Sequence, residues 1–169
     1  MRDFNYGIDT LSACMARASG MGCLTNSITG GRGNLVGFIG EEVFRLMHGG
    51  KYSQENGEHY EWDIVMPSGK TIDVKTKSCT GVPRDTYNAT VAEFNTNQAC
   101  DIYAFVRVEV GKRSKIPTGR AWYMGAIEKE DFYRDATFYS AGDIDPESDL
   151  GWRFSADCYN MKYGSLRSK

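Results

Sequence analysis

The chain has 169 residues, of which 41% are hydrophobic, 12% aromatic and 25% charged, so it is long enough and apolar enough to bury a core, and a single domain spanning 1–169 is expected. No stretch is long and apolar enough to cross a bilayer, and the start, "MRDFNYGIDTLSAC", has polar residues where an export signal would be apolar, so a cytoplasmic protein with no membrane partner is expected. A formal net charge of −2 excludes nucleic-acid binding by a global positive field but not by local contacts, and Cys14, Cys23, Cys79, Cys100 and Cys158 form no CxxC pair.

In chain order, Ile8, Leu11, Cys14, Met15 and Ala18 recur at helical spacing and predict a first helix over residues 8 to 18. The Gly-rich run "TNSITGGRGN" breaks that period. A second helix follows Asn34, with Leu35, Phe38, Ile39, Val43, Leu46 and Met47 as its apolar set and "HGG" as its stop. Residues 60 to 66 and 70 to 77 read as two strands around the turn "PSG". The polar connection "SCTGVPRDTYNATVAEFNTNQAC" has room for a short helix. "DIYAFVRVEV" reads as a buried strand and "GRAWYMGAI" as another, followed by a helix over Lys129 to Ala136. The segment from Ala141 to Asp157 is turn-rich, and a last strand lies near Tyr159.

The hairpin carries the chemistry. Side chains alternate along a strand, so Asp73, Lys75 and Lys77 share one face and Ile72, Val74 and Thr76 the other. With Gly69 supplying the left-handed residue of a three-residue loop, Met66 pairs with Lys70 and Asp63 falls opposite Asp73. Carboxylates opposed in this way stand roughly 5 Å apart at Cβ and repel unless a cation lies between them, and Mg²⁺ prefers such oxygens. Lys75 beside that pair could orient water and steady charge on a phosphate, an arrangement suited to hydrolysis of a phosphodiester.

Asp63 followed by Asp73-Val74-Lys75 resembles the PD-(D/E)XK nuclease superfamily, whose signature is an acid on one strand and an Asp or Glu, any residue and Lys on the next. Members commonly carry a glutamate on the preceding helix, often after glycine. "GFIGEEVFRL" offers Gly40-Glu41-Glu42, with Glu41 taking the role and helical phase leaving Glu42 open. Lys77 matches a basic residue that in many members contacts the nucleic-acid backbone. The chain more loosely resembles small phage-encoded endonucleases. Trp62 stands before Asp63 where proline is common.

The resemblance implies an α/β fold with a central mixed β-sheet flanked by helices, restriction-endonuclease-like with an αβββαβ core. It implies a Mg²⁺-dependent endodeoxyribonuclease acting on DNA, with Mn²⁺ able to substitute. Asp63, Asp73 and the Val74 carbonyl would bind the metal, Glu41 would complete the shell or bind a second ion, and Lys75 would position water. Lys77, Lys70, Arg84 and Arg32 are candidates for phosphate contact, against a bland reading as surface charge. Gln98 could hydrogen-bond near the site, but a polar residue at a helix end is the favoured reading. The acidic run "GDIDPESDLG" lacks an EF-hand's glycine and last glutamate and reads as a solvated loop, and Tyr123, Phe132, Tyr133, Phe138 and Tyr139 read as packing rather than a base-stacking platform.

Two other classes stay open. A non-catalytic nucleic-acid-binding or assembly module could keep the nuclease fold, and an enzyme of small-molecule phosphate chemistry would need a phosphate loop that "TGGRGN" does not supply. A nuclease cutting both strands is compatible with a homodimer.

Overall fold

The computed structural model describes residues 1–21, 34–53 and 61–166. A short strand β1 (Arg2–Asn5) leads into helix α1 (Ile8–Met21), and helix α2 (Asn34–His48) is followed by β2 (Lys51–Tyr52), β3 (Ile64–Val65) and β4 (Thr71–Cys79). Next come β5 (Asn88–Ala92), a 3₁₀ turn (Glu93–Asn97), β6 (Ile102–Val110), β7 (Pro117–Glu128), α3 (Lys129–Asp135), β8 (Thr137–Tyr139), β9 (Cys158–Lys162) and α4 (Tyr163–Leu166).

Six strands form one sheet in the order β1-β7-β6-β4-β3-β2. β4 and β6 run parallel and the other neighbours antiparallel, so the sheet is mixed and the fold α/β. A parallel pair needs a crossover rather than a hairpin. The crossover from β4 to β6 carries β5, which joins β9 and β8 in a separate three-stranded sheet.

β6 explains the layering. Ala104, Val106 and Val108 face a core shared with Phe38, Ile39, Val43 and Phe44 of α2, while Tyr103 and Phe105 face a second core with Ala89, Val91, Phe132 and Met161. A strand buried on both faces must be apolar at odd and even positions alike, which is why "IYAFV" has no alternation. Helices α1 and α2 therefore cover one face and the small sheet with α3 covers the other. The αβββαβ order expected from the resemblance differs in its last third: β6 turns directly into antiparallel β7, α3 comes only after β7, and the strand following α3 belongs to the small sheet.

Local chemistry sets the boundaries. Helix α2 stops at two glycines with positive φ, 80° at Gly49 and 103° at Gly50, and the Gly49 N–H closes the last turn on the Arg45 carbonyl at 2.8 Å. Gly69, with φ 85°, makes the β3–β4 turn, and the Met66 N–H donates to the Lys70 carbonyl at 2.8 Å, as the three-residue loop requires.

Some expectations change. In α1, Leu11, Cys14 and Ala18 face the core, but Ile8 and Met15 are exposed, because the contact with α2 is narrower than the apolar spacing suggests. Leu46 is exposed on α2 and Phe44 is buried in its stead. Of the strand expected over residues 60 to 66, residue 60 lies outside the described residues, and over 61–66 the strand is confined to Ile64–Val65, since Asp63 leaves the ladder. The polar connection after Cys79 holds a strand, β5, as well as its helical turn.

Candidate active site

The site forms where β3 ends and exposes the edge of β4. Ile64 still pairs with Ile72, but the next step of the ladder is skewed, with the Asp63 N–H on the Ile72 carbonyl at 2.9 Å. The Asp63 carboxylate then takes the place of the missing strand: its Oδ2 accepts the Val74 N–H at 2.7 Å. A residue's N–H and C=O point to the same edge of a strand, so the Val74 carbonyl also faces this gap. Asp63 thus stands across from Asp73 as the turn dictates, while its carboxylate is turned onto β4 backbone.

Asp73 is 5% exposed and Lys75 sits beside it on the same face, with Nζ 2.5 Å from Asp73 Oδ2. The pair is a close ion contact without hydrogen-bond alignment, leaving the buried Asp73 Oδ2 with no directed donor among the described residues. Lys75 Nζ also donates to Gln98 Oε1 at 3.0 Å and lies 5.4 Å from the centre of the Tyr103 ring. Gln98, read from sequence as a bland polar residue, therefore belongs to the site. It comes from the end of the 3₁₀ turn that precedes β6, a placement no local pattern announces.

The two helix glutamates differ in their partners. Glu42 accepts two bonds from Arg45, each 2.7 Å, and a third from the Tyr52 hydroxyl, so its oxygens are used on the helix surface. Glu41 is turned the other way and comes within electrostatic reach of Asp63 and Asp73. Its cation is Arg17 of α1, whose Nη2 donates to Glu41 Oε2 at 2.8 Å while its guanidinium lies 4.2 Å from both the Phe38 and Tyr52 ring centres. Arg17 was missed by the sequence reading, because its partner is 24 positions away on another helix.

Three acids lie within electrostatic reach of one another, and two of them respond in the same direction. Burial, then the charges of Glu41 and Asp73, push Asp63 well above the usual carboxylate range, although Asp63 keeps a partial opening to solvent. Burial also raises Glu41, with Arg17 opposing and Asp73 and Glu42 adding to the rise. Repulsion of this kind is what a cation relieves. Among the described residues no three carboxylate, histidine or cysteine groups are gathered closely enough to form a ready-made cage, because Asp63 holds backbone, Asp73 holds Lys75 and Glu41 holds Arg17. The donor chemistry nevertheless fits a hard cation: carboxylate oxygens, one of them buried without an aligned donor, beside a strand edge carrying a carbonyl.

The basic candidates separate. Lys77 is exposed in the wall of a groove next to Lys75, where crowding by surrounding atoms and then the Arg107 charge push its ammonium down to about 8. Lys70 lies at the turn end of β4 and pairs with Glu128 at 3.3 Å, in a separate hollow with Asp101 and Lys129. Arg84 is exposed in the loop between β4 and β5. Arg32 lies outside the described residues. Of the aromatic series, Phe132 is fully buried as expected and Phe138 is exposed.

No model of a known protein family matches the chain, and no curated protein matches it. No described helix is long and apolar enough to cross a membrane.

Proposed function

We propose that the chain is a metal-dependent nuclease of the PD-(D/E)XK type that hydrolyses phosphodiester bonds in DNA, with α2, β3, β4 and β6 as its restriction-endonuclease-like core. The observation that carries this reading is the meeting of Asp63, Asp73 and Lys75 at the open edge of β4, with Glu41 behind them. Asp63, Asp73 and the Val74 carbonyl would hold Mg²⁺, with Mn²⁺ as a substitute, and Glu41 would complete or extend the shell. When bound, the ion supplies positive charge to the phosphate oxygens and makes water more acidic.

The chain's own residues do the rest. Lys75, fixed by Gln98 and Asp73, presents its amine where it can orient the attacking water and steady the charge that develops on the phosphate. The Val74 N–H keeps the Asp63 carboxylate oriented, so no rotamer search precedes binding. Glu42, held by Arg45 and Tyr52, stays out of the chemistry.

One observation favours a second reading. Asp73 and Glu41 already hold Lys75 and Arg17, a self-neutralised arrangement that a non-catalytic nucleic-acid-binding module could retain. Incubating supercoiled and linear plasmid with wild type and Asp73→Ala, in Mg²⁺, Mn²⁺ or EDTA, separates the two. Metal-dependent nicking or linearisation by wild type and none by the variant is expected. Plasmid, single-stranded and branched DNA left whole under every metal would overturn the catalytic reading in favour of the binding module.

A further inference from the structure

Beside Lys75, between the central sheet and the small one, lies a cavity of about 360 Å³ with Lys77, Phe94, Trp152 and Phe154 in its wall. It shares Lys77, Trp152 and Phe154 with a second hollow of about 390 Å³ that reaches Arg107 and Asn160. Three kinds of group meet along this groove.

The first is a cation: Lys77 reaches solvent, whereas Arg107 is committed to the Tyr163 hydroxyl at 2.9 Å and to the Asn88 carbonyl at 3.2 Å. The second is an aromatic wall that water can reach. Phe94 is 46% exposed and Trp152 54%, and Trp152 is braced at a ring-centre distance of 5.3 Å by Phe154, which itself stacks on Tyr139 at 4.5 Å. The third is an orphaned acceptor. Asn160 is only 7% exposed, it lines the second hollow, and its Oδ1 has no hydrogen-bond partner among the described residues. A buried amide oxygen left without a protein donor is unfavourable, so this one is open to a donor from water or from a ligand in the hollow.

Cation, accessible ring face and acceptor are what an unpaired nucleotide needs. The phosphate takes the ammonium, the base takes the ring, and an exocyclic amino group takes the amide oxygen. A paired base offers neither face, because both are stacked within the duplex. In the far hollow Glu147 is paired with Lys162 and Arg107 with Tyr163 and the Asn88 carbonyl, so Lys77 is the cation left for the sugar-phosphate chain.

We propose that this groove binds single-stranded DNA, with phosphate on Lys77, a base against Trp152 and its amino group on Asn160 Oδ1, so that the substrate enters the site as an unpaired strand. The identity of the ligand as DNA rests on the nuclease reading; the groove itself rests on the residues above.

The test is fluorescence anisotropy with labelled oligo(dC), a duplex of equal length and an abasic strand of equal length, in EDTA, using wild type, Trp152→Ala and Trp152→Phe. Wild type should bind oligo(dC) on the order of tenfold more tightly than either other probe, Trp152→Ala should lose a factor on the order of ten for oligo(dC) alone, and Trp152→Phe should retain most of the affinity. Trp152 is exposed, so its truncation leaves both cores untouched. Equal binding of the three probes, or an unchanged oligo(dC) affinity in Trp152→Ala, overturns the proposal. That outcome in a protein that cuts plasmid would leave the nuclease reading standing. Trp152-dependent binding of oligo(dC) by a protein that cuts nothing would uphold the groove and remove the catalysis.

Discussion

Gly40 precedes the helix acid, and the structure gives a physical reason for a glycine there. A Cβ on Gly40 would run into Thr76 of β4, meeting its Oγ1 head-on and coming within 2.7 Å of Cγ2 and 2.8 Å of Cβ. Gly40→Ala sets two effects against each other. Alanine in place of glycine inside a helix gains about 1 kcal/mol of propensity. Overpacking a buried contact costs about 1–3 kcal/mol, and the upper end applies because the obstacle is a β-branched side chain close to its own backbone. The expected net loss is about 2 kcal/mol, which for a chain of this size lowers Tm by roughly 4–8 °C. The same push moves α2 away from β4 and takes Glu41 with it, so cleavage should fall further than stability, on the order of a hundredfold for an ångström of displacement. Thermal melting and plasmid cleavage of Gly40→Ala, Thr76→Ala and the double variant form the assay. Thr76 Oγ1 is buried with no hydrogen-bond partner among the described residues, so Thr76→Ala alone should cost little, and in the double variant it should restore most of the loss. A Gly40→Ala protein that melts and cleaves like wild type would refute the close seating of α2 on β4.

The two glutamates should separate cleanly. Glu41→Gln should reduce cleavage by roughly 10- to 100-fold with little change in melting, whereas Glu42→Gln, which loosens the bonds to Arg45 and Tyr52, should cost about 1 kcal/mol of stability and leave cleavage within a few-fold. The reverse pattern would make Glu42 the site acid. A pH prediction follows from the raised Asp63 and Glu41. The folded protein binds protons on these groups that the unfolded chain has released above about pH 4, so stability in EDTA should fall as pH rises from there through the raised folded values. Adding Mg²⁺ at neutral pH should recover the melting temperature, and a Tm that is flat over this range and blind to Mg²⁺ would argue that no cation replaces those protons.

How far the sequence went depends on how local each determinant is. Helix α2, the Gly69 turn and strands β6 and β7 are legible because their signals lie inside the element: an apolar stripe, a glycine where φ must be positive, and runs rich in β-branched and aromatic residues. The small sheet is not legible. β5 is "NATVA", with only Ala89 and Val91 turned inward, embedded in a polar stretch, and it pairs with β9 some seventy residues later. The site divides in the same way. Asp63, Asp73 and Lys75 are fixed by a hairpin register that residue spacing dictates, while Arg17 and Gln98 arrive through tertiary packing from elements that carry no mark of it. The departure of Asp63 from the ladder onto the Val74 N–H is intermediate: spacing places the residue opposite Asp73, but only the early end of β3 frees the backbone edge it binds.

The site's internal contacts also constrain how a cation could enter. Each acid has a different partner: a backbone N–H for Asp63, an ammonium for Asp73 and a guanidinium for Glu41. Arg17 is clasped between Phe38 and Tyr52 and cannot travel far, so Glu41 would have to swing from it or bridge both charges. Lys75 is less restricted, since Gln98 offers its amine a second acceptor beside Asp73. On the nuclease reading, Asp63 and Asp73 would be the acids most readily offered to an ion, because Lys75 has Gln98 as a second acceptor while Glu41 is paired with Arg17. Because burial and mutual repulsion favour protons on Asp63 and Glu41, ion binding must release them, and affinity for the ion should strengthen as pH rises. On the nuclease reading, a site arranged in this way would keep its acids partnered until a cation and a substrate phosphate arrive together.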